Sequence, residues 1–252
     1  MTAVDPLPTP EHLHHLRAIS ASYCLAEGGS HGPDHSERVL SLALAIGRQM
    51  KALPAIIAPA ALLHDIGRKE ESLSRGRICH AQRGAELAAT LLRELCYGEE
   101  EIKAICHCIR AHRFRNAHHP ESLEAKILFD ADKLDSIGAI GIGRAFLFAG
   151  QIGARLHNPE QDPISTLPYS LEDTAYREFR VKMSKVRHQM LTPVGLQLAE
   201  QRHTFMETFL FQDVFCSYSD KQFGSKLWKL FIMDFMFSSK NSIAYLISAR
   251  II

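Results

Sequence analysis

His35, the doublet His64-Asp65, and Asp132 are the residues of this chain best suited to chemistry. They sit in Asp34-His35-Ser36-Glu37-Arg38-Val39, in Leu62-Leu63-His64-Asp65-Ile66-Gly67 and in Phe129-Asp130-Ala131-Asp132-Lys133-Leu134-Asp135. Imidazoles and carboxylates together suit Mn, Fe, Co, Ni or Zn, and the oxygens also admit Mg. The expectation is one divalent ion held by His35, His64, Asp65 and Asp132. An open position on such an ion brings the ionisation of water near neutral pH, so the chain reads as a metal-dependent hydrolase.

The register supports a shared site. His35 falls on a helical stripe with Val39, Leu42 and Ile46. His64 follows Ile57, Ala60 and Ala61 on one face, and Asp132 follows Leu128 and Phe129. Asp65 lies at a helix end, where the chain can turn it toward the same point. An unpaired buried carboxylate is costly and its pKa moves until it neutralises. The bland alternative is a set of separate hydrogen-bonded histidines and helix-end aspartates; one cation satisfies all four together.

Cations flank these positions. Arg38 is one turn from His35, Arg68 follows the doublet closely and Lys133 adjoins Asp132. Each alone reads as a solvated surface charge. Together, beside a metal, they are expected to bind a phosphorylated substrate and to neutralise charge on a transferring phosphoryl group.

The elements that must position these residues are helical. A first amphipathic segment begins near Leu13 and stops at Gly28-Gly29-Ser30. A second starts at Pro33, with Asp34 and Glu37 at capping-box spacing. A third begins near Pro54 or after Pro59 and is expected to end at Gly67, with Arg68 closing it. Further helices are predicted at about 80–95, 99–111, 121–135, 137–149, 171–189 and 194–211, with a surface loop over 153–169. No Val/Ile/Thr alternation flanked by hairpin turns supports a sheet, so the fold class is all-α.

Composition is that of a globular protein: of 252 residues, 46% are hydrophobic and 23% charged. The net charge of +1 supplies no field to recruit a nucleic-acid duplex, so any anionic substrate must meet local cations. The six cysteines form no C-x-x-C pair, and the first ten residues hold three prolines and no apolar signal core. A reducing cytoplasm is the expected location. Cys106-His107-Cys108 looks like a ligand cluster, but such neighbours face different sides of a helix and read as buried thiols. From about Asp213 the character changes: Phe215, Trp228, Phe231 and Phe235 crowd a tail interrupted by Lys226, Lys229, Asp234 and Lys240. No run there is long and apolar enough to span a membrane. The expected division is a catalytic domain over 1–212 and a poorly packed hydrophobic extension over 213–252.

The order of His35, His64-Asp65 and Asp132 resembles that of the HD-domain metal-dependent phosphohydrolase superfamily, in which a His-Asp doublet lies between an earlier His and a distant Asp. The stretches 31–39, 60–68 and 125–146 resemble a bacterial subgroup of small HD hydrolases, some of them nucleotide pyrophosphohydrolases. The likeness covers roughly 20–210 and excludes the tail. It implies an HD-domain helical bundle, Asp65 as a catalytic ligand, and a nucleotide substrate. Cleavage of a nucleoside triphosphate to monophosphate and pyrophosphate leads; 5′-nucleotidase or cyclic-nucleotide phosphodiesterase activity follows, and a non-catalytic nucleotide-binding module is the rival from another class. It also favours Asp132 over Asp130 and Asp135 as ligand, leaving Asp130 as a neighbour able to support it. Some families of this type place an acid a turn after the doublet, but Arg68 and Lys69 stand there. A dedicated base is therefore in question, with Glu70 and Glu71 within range. Other families add histidines for a second metal. Here His107 and His112 are badly spaced for one face, so His80 and His107 are expected to hydrogen-bond phosphate instead.

Overall fold

The computed structural model describes residues 8–23, 32–113, 118–156, 158 and 161–217, with side chains through Leu210. Ten α-helices and one 3-10 helix are described, with no strand among those residues: α1 Pro10–Tyr23, α2 Pro33–Met50, α3 Pro54–Leu63, α4 Arg68–Leu73, α5 His80–Glu94, α6 Glu99–Ala111, α7 Leu123–Asp135, α8 Gly138–Gln151, α9 Ala175–Val181, the 3-10 helix Met183–Gln189, and α10 Pro193–Ser217. The all-α bundle expected from the periodicity is what forms.

α3 is the axis. Every residue from Ile56 to Leu63 is buried, because α1, α2, α6 and α7 pack around it. A helix apolar on all sides is a core helix. Fully buried Ile57, Leu62 and Leu63 each contribute about 1.5–3 kcal/mol. Pro59 is accommodated inside this helix, so the start at Pro54 holds.

Several boundaries differ from expectation. α3 ends at Leu63, not Gly67, and residues 64–67 form a turn. Arg68 opens α4 instead of closing α3. The turn is set by Gly67: a Cβ there would collide with the His80 carbonyl and the Gly84 amide. That close approach lays the doublet against the start of α5. Asp34 and Glu37 do not cap α2; Gly32 is the N-cap, and Glu37 pairs with Arg17 at 2.6 Å. The single helix expected over 171–189 is broken at Lys182 into α9 and the 3-10 helix. α10 runs on to Ser217 through the position where the composition changes. Most of the aromatic tail, with Trp228 and Phe231, lies outside the described residues. No described helix is long and apolar enough to cross a membrane. Cys106 and Cys108 are buried free thiols, and burial pushes Cys108 up to about 12.

Candidate metal centre

The bundle gathers side chains from five places at one end of α3. His35 comes from the first turn of α2, His64 and Asp65 from the turn after α3, His80 from the start of α5, His112 from the end of α6, and Asp132 from α7. His35 Nε2 lies 3.2 Å from His64 Nε2, 3.6 Å from Asp65 Oδ2 and 3.4 Å from Asp132 Oδ1. His64 Nε2 lies 3.6 Å from Asp65 Oδ2 and 3.9 Å from Asp132 Oδ1. Ligands roughly 2.0–2.2 Å from one ion stand roughly 2.8–3.6 Å from their nearest fellows. The donor set therefore has the spacing of a coordination shell.

The other oxygen of Asp65 faces a second group. Asp65 Oδ1 is 3.6 Å from His80 Nε2 and 3.7 Å from His112 Nε2, and those two nitrogens are 3.1 Å apart. One carboxylate thus presents an oxygen to each of two imidazole pairs.

The hydrogen bonds behind the rings decide what the cluster wants. His35 Nδ1 donates to Asp135 Oδ2 and His80 Nδ1 to Glu71 Oε2, each at 2.7 Å. His64 Nδ1 donates to the Ala61 carbonyl at 2.8 Å and His112 Nδ1 to the Ile109 carbonyl at 2.6 Å. None of these acceptors has a proton to give. In the neutral rings, every Nε2 carries a lone pair directed at another lone pair or at a carboxylate. Such an arrangement calls for cations between the donors, and the Nδ1 partners fix each ring for that duty.

Burial shapes the charges. At His64 burial lowers the pKa, and at His112 it does so strongly. Burial and Arg68 bring His80 down to about 4. At His35 burial also works against the charge, but Asp132 and Asp135 outweigh it and raise the ring to about 9. Burial opposes ionisation of Asp132 too, yet Lys133 and His35 hold it well below the usual carboxylate range.

The expected cations all reach this end of the molecule, each bound to a carboxylate of the cluster or beside it. Arg38 makes a two-nitrogen pair with Asp135 at 2.6 and 3.0 Å. Arg68 Nε donates to Asp65 Oδ2 at 2.5 Å. Lys133 Nζ is 3.1 Å from Asp132 Oδ2 and lies over the Phe129 ring. Glu71 is tied between His80 and Arg113, and Glu70 pairs with Arg83. His107 does not join the cluster: it is partly exposed, and its Nε2 accepts the Glu121 amide at 3.2 Å.

Asp130 does not support Asp132. It faces away, fully buried, where Oδ1 accepts the Leu191 amide at 2.8 Å and Oδ2 accepts the Thr192 amide and hydroxyl at 2.8 and 2.6 Å. Its work is to pin the start of α10. The carboxylate that supports the centre is Asp135, one turn further on. Sequence reasoning weighed it only as a rival ligand to Asp132, although it shares a face with the buried Leu128 and Ala131. His112 was also legible, since it continues the buried stripe of Ile105 and Ile109. Judging its spacing against His107, when the true partner is His80, obscured it.

The HD domain family pattern matches residues 34–137, a span that contains all of these ligands. Bacillus subtilis YpgQ, an uncharacterised protein, is 35% identical over 202 residues, which span 78% of this chain and 89% of the relative. This chain belongs to the HD superfamily of metal-dependent phosphohydrolases. The crystal structure of YpgQ in complex with ADP superposes with a TM-score of 0.61 at 30% identity, covering 79% of this chain and 94% of that one. An HD-superfamily hydrolase from Bacillus thuringiensis gives 0.66 at 28% identity, covering 83% and 98%. Ribonuclease Y of Borrelia garinii is 34% identical over 121 residues, 48% of this chain but only 22% of that enzyme. The HD centre described above lies within the residues that the family pattern matches.

Proposed function

We propose that this HD phosphohydrolase cleaves a phosphoanhydride or phosphoester bond of a nucleotide, with hydrolysis of a nucleoside triphosphate to monophosphate and pyrophosphate as the leading reaction. The observation that carries the hydrolase chemistry is the division of Asp65 between two imidazole pairs. His35, His64, Asp65 and Asp132 would hold the one divalent ion expected from the sequence, and Asp65 Oδ1, His80 and His112 would hold a second. Bound there, divalent ions activate water and neutralise phosphoryl oxygens.

The remaining work falls to the chain's own groups. Asp135 and Glu71 keep the rings of His35 and His80 turned inward. Arg68 and Lys133, at the edge of the cluster, bind the phosphate oxygens and offset the negative charge that builds up on them. In the leading reaction water adds to the α-phosphorus, the bond from that phosphorus to the bridging oxygen breaks, and pyrophosphate leaves. No carboxylate beside the doublet is free to serve as a separate base, because Glu70 and Glu71 are both ion-paired.

The nucleotide part of the reading is supported by the ADP complex of YpgQ. The likeness to ribonuclease Y favours a second reading, phosphodiester cleavage. A screen of divalent metals against nucleoside tri-, di- and monophosphates, cyclic nucleotides and a short RNA tests both, with phosphate and pyrophosphate measured separately. Pyrophosphate from triphosphates supports the leading reaction. Phosphate alone from monophosphates, or opening of diesters, replaces it with nucleotidase or phosphodiesterase activity.

A further inference from the structure

A cavity of about 420 Å³ opens beside the metal centre, between α8, the segment around Tyr169 and α9. Its volume is in the range of small-molecule sites. Gly141 and Ala145 line the α8 wall, where Gly141 packs closely on the Ser136 carbonyl, and Arg144 and Phe148, one turn apart, line it from the same helix.

Arg144 joins the cavity to the centre. Its Nη1 donates to Asp135 Oδ2 at 3.1 Å, and Asp135 Oδ2 accepts from the ligand His35 at 2.7 Å. The other guanidinium nitrogens, Nε and Nη2, have no acceptor among the described residues, and the side chain is 20% exposed. Those donors are available to a ligand.

The outer end is aromatic. The rings of Phe148 and Tyr169 meet edge to face with centroids 5.8 Å apart. Tyr169 is 77% exposed, and its backbone is left-handed at φ 59°. That costly conformation is held by Asp173, whose Oδ2 accepts the Tyr169 amide at 2.6 Å while Oδ1 binds Arg177 at 2.9 Å. A strained, exposed aromatic kept in place by a buried ion pair marks a built wall. Glu178 also lines the cavity; it spends Oε1 on Lys182 at 2.9 Å, and Oε2 has no hydrogen-bond donor among the described residues. The cavity therefore offers a cation at the end next to the metal centre, exposed π-faces and a carboxylate acceptor.

We propose that this cavity receives the nucleoside half of the substrate, with the base against Tyr169 and Phe148, a base amine or sugar hydroxyl donating to Glu178, and Arg144 binding where the sugar passes to the phosphates. The proposal rests on the nucleotide reading above.

The test compares kcat/KM for a nucleoside triphosphate with kcat/KM for inorganic tripolyphosphate, which has no base, on the metal-loaded full chain. Tyr169→Ala and Phe148→Ala should each lower the ratio by about tenfold, the usual scale of one lost base–aromatic stack, and chiefly through KM. Tyr169→Phe should keep it. Calorimetry with adenosine monophosphate and with inorganic phosphate should show the same selective loss, and circular dichroism checks that each variant folds. A wild type that prefers the nucleotide while both alanine variants keep that preference overturns the cavity and leaves the nucleotide reading standing. A wild type that gains nothing from the base overturns both. If Phe148→Ala does not fold, Tyr169→Ala alone decides, since its side chain is exposed.

Discussion

Asp135 Oδ2 accepts the Nδ1 proton of His35 at 2.7 Å, and both groups are nearly inaccessible to solvent. The bond turns Nε2 of the ring toward Asp65 and Asp132, and Arg38 and Arg144 hold the carboxylate from its other side. The ring's usefulness as a ligand therefore depends on a residue that touches no metal. Asp135→Asn keeps the shape and removes the charge. It should weaken metal binding about 10- to 100-fold, the usual cost of losing such a partner. Equilibrium dialysis with metal analysis reads this directly; unchanged affinity would reduce Asp135 to a packing residue.

Asp65 should be the most sensitive ligand. Both donor groups use it, one oxygen each, so Asp65→Ala should empty both. His112→Ala should remove only the second ion, taking the metal content from about two equivalents to about one under the shared-carboxylate arrangement. Elemental analysis of the purified proteins gives the counts. A wild type that saturates at one equivalent, or Asp65→Ala with full occupancy, would contradict the assignment.

Asp130 and Asp132 sit two residues apart on α7 and should fail in different ways. Asp132→Ala should lose metal and activity while keeping its fold. Asp130→Ala strips three hydrogen bonds from the start of α10 and leaves buried donors unsatisfied, at about 1–3 kcal/mol each. It should unfold at a clearly lower temperature without a direct effect on the ligands. The pair is read by thermal midpoint and metal content together.

Arg38 and Arg68 should also separate. Arg68→Ala should raise KM for the phosphorylated substrate while metal content does not fall, because Arg68 orients no ring and its cation occupies Asp65 Oδ2, the oxygen a metal ion would take. Arg38→Ala should lower metal affinity as well, since it releases Asp135 and through it His35. Equal behaviour of the two variants would show that Arg38 acts only on substrate.

How much of this was legible follows from what each residue's neighbours reveal. Apolar stripes placed α2, α3 and α7 and aimed His35, His64 and Asp132 inward, because burial of a polar side chain on such a stripe demands a partner. The doublet's second acid was found, but its double service was not: which oxygen faces which ring depends on how tightly α5 approaches the turn. That approach is set by the contact of Gly67 with the backbone of His80 and Gly84, which leaves no period in the sequence. The break at Lys182 was equally hidden, since the apolar pattern of Phe179, Met183 and Val186 continues across it. The choice between Asp130 and Asp135 as the supporting carboxylate turned on register: a residue one turn from Asp132 can reach the same site, whereas one two positions away faces elsewhere.

The metal-free protein should be most stable near the ordinary histidine pKa and weaken on both sides. His35 is raised to about 9 in the folded state from 6.5. Its contribution is therefore fully present below 6.5 and lost as pH rises through 9, at about 1.4 kcal/mol per pKa unit. His64, His80 and His112 are shifted down, so they are neutral in both states across that window and add nothing to the loss. Below 6.5 the order reverses: the unfolded chain takes up protons that these buried rings refuse, with His80 holding out to about 4, and stability falls as the solution is acidified. A divalent ion replaces the proton of His35, so the loaded protein should lose the His35 part of the alkaline decline, keep the part that buried Cys108 causes above about pH 8.5, and release a proton on binding metal at pH 7–8. Thermal melts of the metal-free and metal-loaded protein from pH 5 to 10, with proton release measured in weakly buffered solution, test this. A metal-free protein that gains stability between pH 7 and 9 would show that His35 is not the protonated ring of the cluster.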